Sequence, residues 1–134
     1  MKPVMMVCTI VAALAACAAD GPAANRLDRV PTGDWGGQSV NLAVEDAGAH
    51  IEFDCAHGTL TGPLSLDAEG RFSVPGTFFR EGGPVRTDDP GTPVRYSGHT
   101  DGQSMQLDVV PDAGEKIGSF ELSRGATTRL RKCK

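Results

Sequence analysis

Apolar and polar positions alternate with a period of two along most of the chain after Gly33. Val40, Leu42 and Val44 alternate with polar or small residues, Glu45-Asp46-Ala47-Gly48 reads as a turn, and Ile51, Phe53 and Cys55 resume the alternation. This is the pattern of a hairpin with one buried face. Leu60, Leu64 and Leu66 follow, interrupted by Gly62-Pro63, and Asp67-Ala68-Glu69-Gly70 turns the chain into Phe72, Val74 and Phe78. Pro75 lacks a backbone donor, so it implies an edge position or a bulge. Val94 and Tyr96 precede Asp101-Gly102, the strongest turn signal in the chain, and Met105, Leu107 and Val109 alternate beyond it. A turn at Pro111 to Gly114 leads to Ile117, Phe120 and Leu122, and a last short segment carries Leu130. Helical periodicity is absent after residue 33. Seven or eight antiparallel strands joined by short sequential turns predict an all-β fold, a small up-and-down barrel, with a β-sandwich as the alternative. Few aromatics and short strands predict an interior filled by side chains rather than a roomy cavity.

The first residues carry a different pattern. Lys2 precedes an apolar stretch from Val4 to Leu14, too short to span a bilayer as a helix, and Leu14-Ala15-Ala16-Cys17 closes it. That run resembles the lipobox of bacterial lipoprotein signal peptides. The resemblance implies a signal over residues 1–16, cleavage before Cys17, a diacylglyceryl thioether on its sulfur and acylation, as by palmitate, of the new amino terminus. Two or three chains anchor a protein durably where one binds reversibly. Ala18, rather than Asp, after the cysteine implies the outer membrane if the host is Gram-negative. An ordinary cleaved signal with an incidental cysteine is the rival reading. Residues 17–32 read as a lipid-anchored tether, whose fifteen flexible residues after Cys17 span about 20 Å r.m.s.. Residues 33–134 read as the domain.

Processing would leave one domain of modest core and remove Lys2, leaving 12 basic against 17 acidic residues. An acidic chain of this kind argues against nucleic acid as a partner. Of the four cysteines, Cys8 leaves with the signal and Cys17 is the lipid site. Cys55 and Cys133 are expected to pair, because export delivers them to an oxidising compartment. Closing so long a loop contributes roughly 4–5 kcal/mol on loop-closure entropy. A reactive thiol or metal ligand is the alternative, but neither cysteine has a CxxC partner.

Gly33-Asp34-Trp35 resembles the G-x-W that opens lipocalin and avidin-like barrels. That resemblance implies an indole closing one barrel end under a basic residue of the last strand, for which Arg129 and Arg131 are the candidates. The duller reading is a tryptophan plugging a core beside Gly36-Gly37. Together, Trp35-Gly36-Gly37, Phe53-Asp54-Cys55-Ala56-His57-Gly58, Gly70-Arg71-Phe72, Gly82-Gly83-Pro84 and Lys132-Cys133 resemble a set of small exported bacterial proteins without an assigned activity.

Asp54, Cys55 and His57, with His50 and His99, offer metal-ligating atoms, but their spacing matches no common site and no metal or other cofactor is expected. No nucleophile elbow or acid/base pair stands out, so no catalytic residue is expected. The pattern G-x-P-V-R occurs at residues 82–86 and again at 91–95. Arg80, Arg86 and Arg95 are therefore candidates for a binding loop, an anion or partner patch; solvated charges paired with Asp88, Asp89 or Glu81 are the duller reading. Arg129, Arg131, Lys132 and Lys134 form a basic end that either sits near anionic head groups or is a solvated last strand.

The sequence thus points to a non-enzymatic envelope protein tied to a membrane by lipid, binding a protein or small ligand through loops. The alternative is an inhibitor of secreted proteases with an avidin-like barrel. In that case residues 18–32 would enter the protease cleft as an extended strand.

Overall fold

The computed structural model describes residues 27–82 and 90–133. Eight strands follow one another: β1 (Gly33–Gly37), β2 (Val40–Val44), β3 (Gly48–Phe53), β4 (Ala56–Thr61), β5 (Arg71–Arg80), β6 (Thr92–Thr100), β7 (Ser104–Pro111) and β8 (Gly118–Arg124). Each pairs antiparallel with the next, and β8 returns to β1 through Trp35↔Arg124, Gly36↔Ser123 and Gly37↔Leu122. The sheet is a closed up-and-down barrel, not a sandwich. Closure removes the free edges that a flat sheet would expose.

Alternation along each strand decides what points inward. Val40, Leu42 and Val44, then Ile51 and Phe53, Phe72, Val74 and Phe78, Val94 and Tyr96, and Met105, Leu107 and Val109 are all buried in one cluster. The Asp101-Gly102 turn joins β6 to β7: the Asp101 carboxylate accepts the amides of Gln103 and Ser104, both at 2.8 Å, while Gly102 takes φ +98°. Those hydrogen bonds hold Asp101 below its ordinary carboxylate value.

Several sequence expectations need correction. Leu64 and Leu66 do not lie on a strand with Leu60; they belong to the connection from β4 to β5. Cys55 is not an inward strand residue but part of the turn from β3 to β4, with φ +56°. The segment carrying Leu130 forms no strand, and the strand that completes the eight is the glycine-rich β1. Pro75 pairs with Arg95 on β6 but lies one residue beyond Gly76, the last β5 residue with a β4 partner. It therefore has a neighbour on one side only, as an edge-tolerant residue requires.

The domain also begins before residue 33. The Val30 amide donates to the Leu64 carbonyl and the Leu66 amide to Asp28, both at 2.9 Å, with Arg29 bridged to Ser65. Val30 is 1 % exposed. The segment from residue 27 caps one end of the barrel because that end, where β4 overshoots into a long connection, would otherwise leave Leu64 uncovered.

Candidate functional site

Large side chains pack the interior among the described residues. Tyr96 is fully buried, and its hydroxyl donates to the Thr77 carbonyl at 2.7 Å. It fills the space where the inward positions of β4 and β5 are Gly58 and Gly76, at both of which a Cβ would collide with the tyrosine. Burial raises the phenol well above its ordinary value. Trp35 is equally buried, its indole N–H donating to the Pro31 carbonyl at 3.0 Å.

The outside is grooved, and both polar and apolar residues line the hollows. A hollow of about 710 Å³ crosses β5 to β7 beside the β4–β5 connection, lined by Leu66, Arg71, Ser73, Ser97, His99 and Asp108. Another, of about 280 Å³, lies on β1 to β3 between Asp34, Asn41, Ala43, His50, Glu52 and Thr127. Thr127 belongs to a segment that leaves β8 and runs back along the outside of the barrel. Gly125 N–H donates to the Asp34 carbonyl at 2.7 Å. The Asn41 side-chain amide donates to the Thr128 carbonyl at 2.7 Å and accepts from its N–H at 2.9 Å. Arg131 N–H donates to Asp54 at 2.6 Å, and its carbonyl accepts the Cys55 N–H at 2.9 Å. Cys133 then closes a disulfide to Cys55, their Cα atoms 4.8 Å apart. The Arg131 amide, followed by the Ser39 hydroxyl, holds the Asp54 carboxyl below its ordinary value.

A second cluster adjoins this end. His57 Nδ1 lies 2.9 Å from Glu81, and its ring stacks on Phe79 at 5.0 Å. Lys132 Nζ lies 3.3 Å from Glu81 and 3.9 Å from Glu52. Desolvation pushes the Glu81 carboxyl up, but hydrogen bonds and charge from His57 and Lys132 outweigh it and hold the group low.

Of the residues singled out from sequence, Cys55 and Cys133 come together. Arg129 and Arg131, the expected partners of Trp35, lie not on the last strand but beyond it on the returning segment, and the residue opposite Trp35 in the ladder is Arg124, at the end of β8. The strand simply stops before Arg129 is reached. Arg80 and Arg95 do not form a common loop. Arg80 ends β5 with its guanidinium over Phe78, whereas Arg95 is a β6 residue whose Nη1 donates to Ser73 at 3.0 Å, because β6 already starts at Thr92. Arg86, Cys17 and Lys134 lie outside the described residues, as does the signal segment. His50, His57 and His99 sit on β3, β4 and β6, and no group of three or more metal-ligating side chains gathers among the described residues. Sequence reasoning missed Asn41, and it read Asp54 only as a possible metal ligand and Glu81 only as a charge partner of the arginines; the roles of all three depend on the returning segment, which nothing local to them signals.

Among protein families, curated proteins and solved structures, nothing matches this chain.

Proposed function

We propose that this chain is a non-enzymatic, lipid-anchored envelope protein whose barrel binds a partner through its outer surface. The observation that carries the reading is the packed core: Tyr96 and Trp35 are wholly buried in one continuous cluster, while hollows open on the outer face of the barrel. The lipobox resemblance of Leu14 to Cys17 supports the anchor, and the grooves of mixed polar and apolar lining on β1 to β3 and β5 to β7 support surface recognition.

Two measurements test it. Cells fed an alkyne fatty acid should label the wild-type chain and not Cys17→Ser. A photo-crosslinking residue placed in turn at the outward positions Thr59, Ser97 and Gln106 should yield a discrete adduct from at least one. An unlabelled chain with no adduct at any position would sink the reading. The inhibitor alternative meets an obstacle, since residues 28–31 of the proposed inserting strand are bonded into the barrel end.

A further inference from the structure

The returning segment meets the barrel through its backbone. Gly125 donates its N–H to Asp34, Thr128 has both N–H and C=O bonded to Asn41, and Arg131 has both bonded, to Asp54 and to Cys55. Beyond the turn at Gly125, which takes φ +79°, the bonds recur at Thr128 and Arg131, three residues apart. Contacts of this kind read an extended peptide whatever its side chains. The approach is close: a Cβ on Gly36 would run into the Ala126 carbonyl. One covalent bond fixes the far end, and both its cysteines are partly exposed. Cys55 itself sits in the left-handed region, a conformation that costs a non-glycine residue energy and is held by the bond from its N–H to Arg131.

We propose that the outer faces of β1 to β3 form a cradle for an extended peptide, that residues 125–133 occupy it as a strap, and that the Cys55–Cys133 disulfide is its latch. Reduction by a dithiol frees the strap and opens the cradle to an extended segment of a second polypeptide. One thiolate of the dithiol attacks a sulfur of the pair and expels the other as thiolate. The second thiolate of the donor resolves the mixed disulfide. Two electrons pass to the cysteines, both end as thiols, and the donor leaves as a disulfide. The proposal rests on the surface-binding reading, but not on the lipid anchor.

The test uses residues 17–134 with Cys17→Ser, a chain that contains every described element. Amide exchange followed by NMR should show Thr128 and Arg131 exchanging at least about ten-fold faster after reduction while Leu42 and Tyr96 amides keep their protection, the mark of local opening. In the Cys133→Ser variant, a synthetic peptide of residues 125–134 supplied with its cysteine as a 2-thiopyridyl disulfide should be captured at Cys55, whose thiolate attacks the peptide sulfur and expels 2-thiopyridone, the mixed disulfide being read by intact mass. A peptide with shuffled side chains around its cysteine should be captured equally well. One N-methylated at the amides matching Thr128 and Arg131 should not, and Asn41→Ala should reduce capture. Strap amides that stay protected after reduction, core amides that open with them, or equal capture of the N-methylated peptide would each overturn the proposal. A strap that opens but captures no peptide also overturns it, while the cross-linking scan still reads surface binding elsewhere.

Discussion

The Tyr96 hydroxyl donates to the Thr77 carbonyl from a fully buried position, 2.7 Å away, inside the barrel. Tyr96→Phe leaves that carbonyl short of a donor and should cost about 1–2 kcal/mol in urea denaturation. The same burial makes stability pH-dependent. The folded phenol titrates above its ordinary value of 10.0, so the contribution of the protonated form is complete below that pH and is lost as pH rises above it, by about 1.4 kcal/mol per unit. Tyr96 is the chain's only tyrosine, so phenolate absorbance reads the group directly, and Tyr96→Phe should remove this alkaline component.

Gly58 belongs to the same arrangement. A methyl there meets the Tyr96 hydroxyl and the Thr77 carbonyl at once. Gly58→Ala should destabilise by about 1–3 kcal/mol, the usual cost of overpacking. Because one of the two obstacles is the hydroxyl, the substitution should cost less in the Tyr96→Phe background. A double-mutant cycle measures that coupling; strict additivity would mean the hydroxyl is not the obstacle.

These two positions also explain what could be read from sequence. Strands with large inward residues were legible: Val40, Leu42 and Val44 in β2, or Met105, Leu107 and Val109 in β7, announce themselves by alternation, and Asp101-Gly102 marks the turn before the latter. β4 was not, because two of its inward residues are the small Ala56 and Gly58, the glycine being required by a tyrosine distant in sequence. β1 showed no alternation and was marked only by Gly33-Asp34-Trp35, because its glycines admit the strap and the neighbouring strand at close range. The disulfide was legible from cysteine count and expected compartment. The strap was not, since its bonds run from backbone to residues such as Asn41 and Asp54 whose sequence context is unremarkable.

The cap at residues 27–31 yields a truncation test. A chain starting at Leu27 retains the Val30 amide bond to Leu64, the burial of Val30 and the Pro31 acceptor of the Trp35 indole. A chain starting at Gly33 loses all of them, at a cost of about 3 kcal/mol or more. Trp35 is the only tryptophan, and its fluorescence should shift to the red in the shorter chain as water reaches the indole. Equal urea midpoints for the two chains would show that residues 27–32 are dispensable, and would restore them as a segment free to act elsewhere.

The strap has its own pH dependence, set at Asp54. Its carboxyl is held below the ordinary value of 3.8, first by the Arg131 amide and then by the Ser39 hydroxyl. A depressed carboxyl contributes fully above its unfolded value and loses that contribution as pH falls through its lower folded value. Acidification below 3.8 should therefore weaken the hold on Arg131 while the apolar core, which contains no such group, persists. The Arg131 amide proton, followed by NMR, should move upfield as Asp54 takes up a proton. In Asp54→Asn that titration should vanish, whereas Asp67→Asn, altering a carboxylate bonded to Glu69 and Arg71 in the β4–β5 connection, should leave it intact. An Arg131 shift that follows Asp67 instead would place the acid sensitivity in the barrel end and not in the strap.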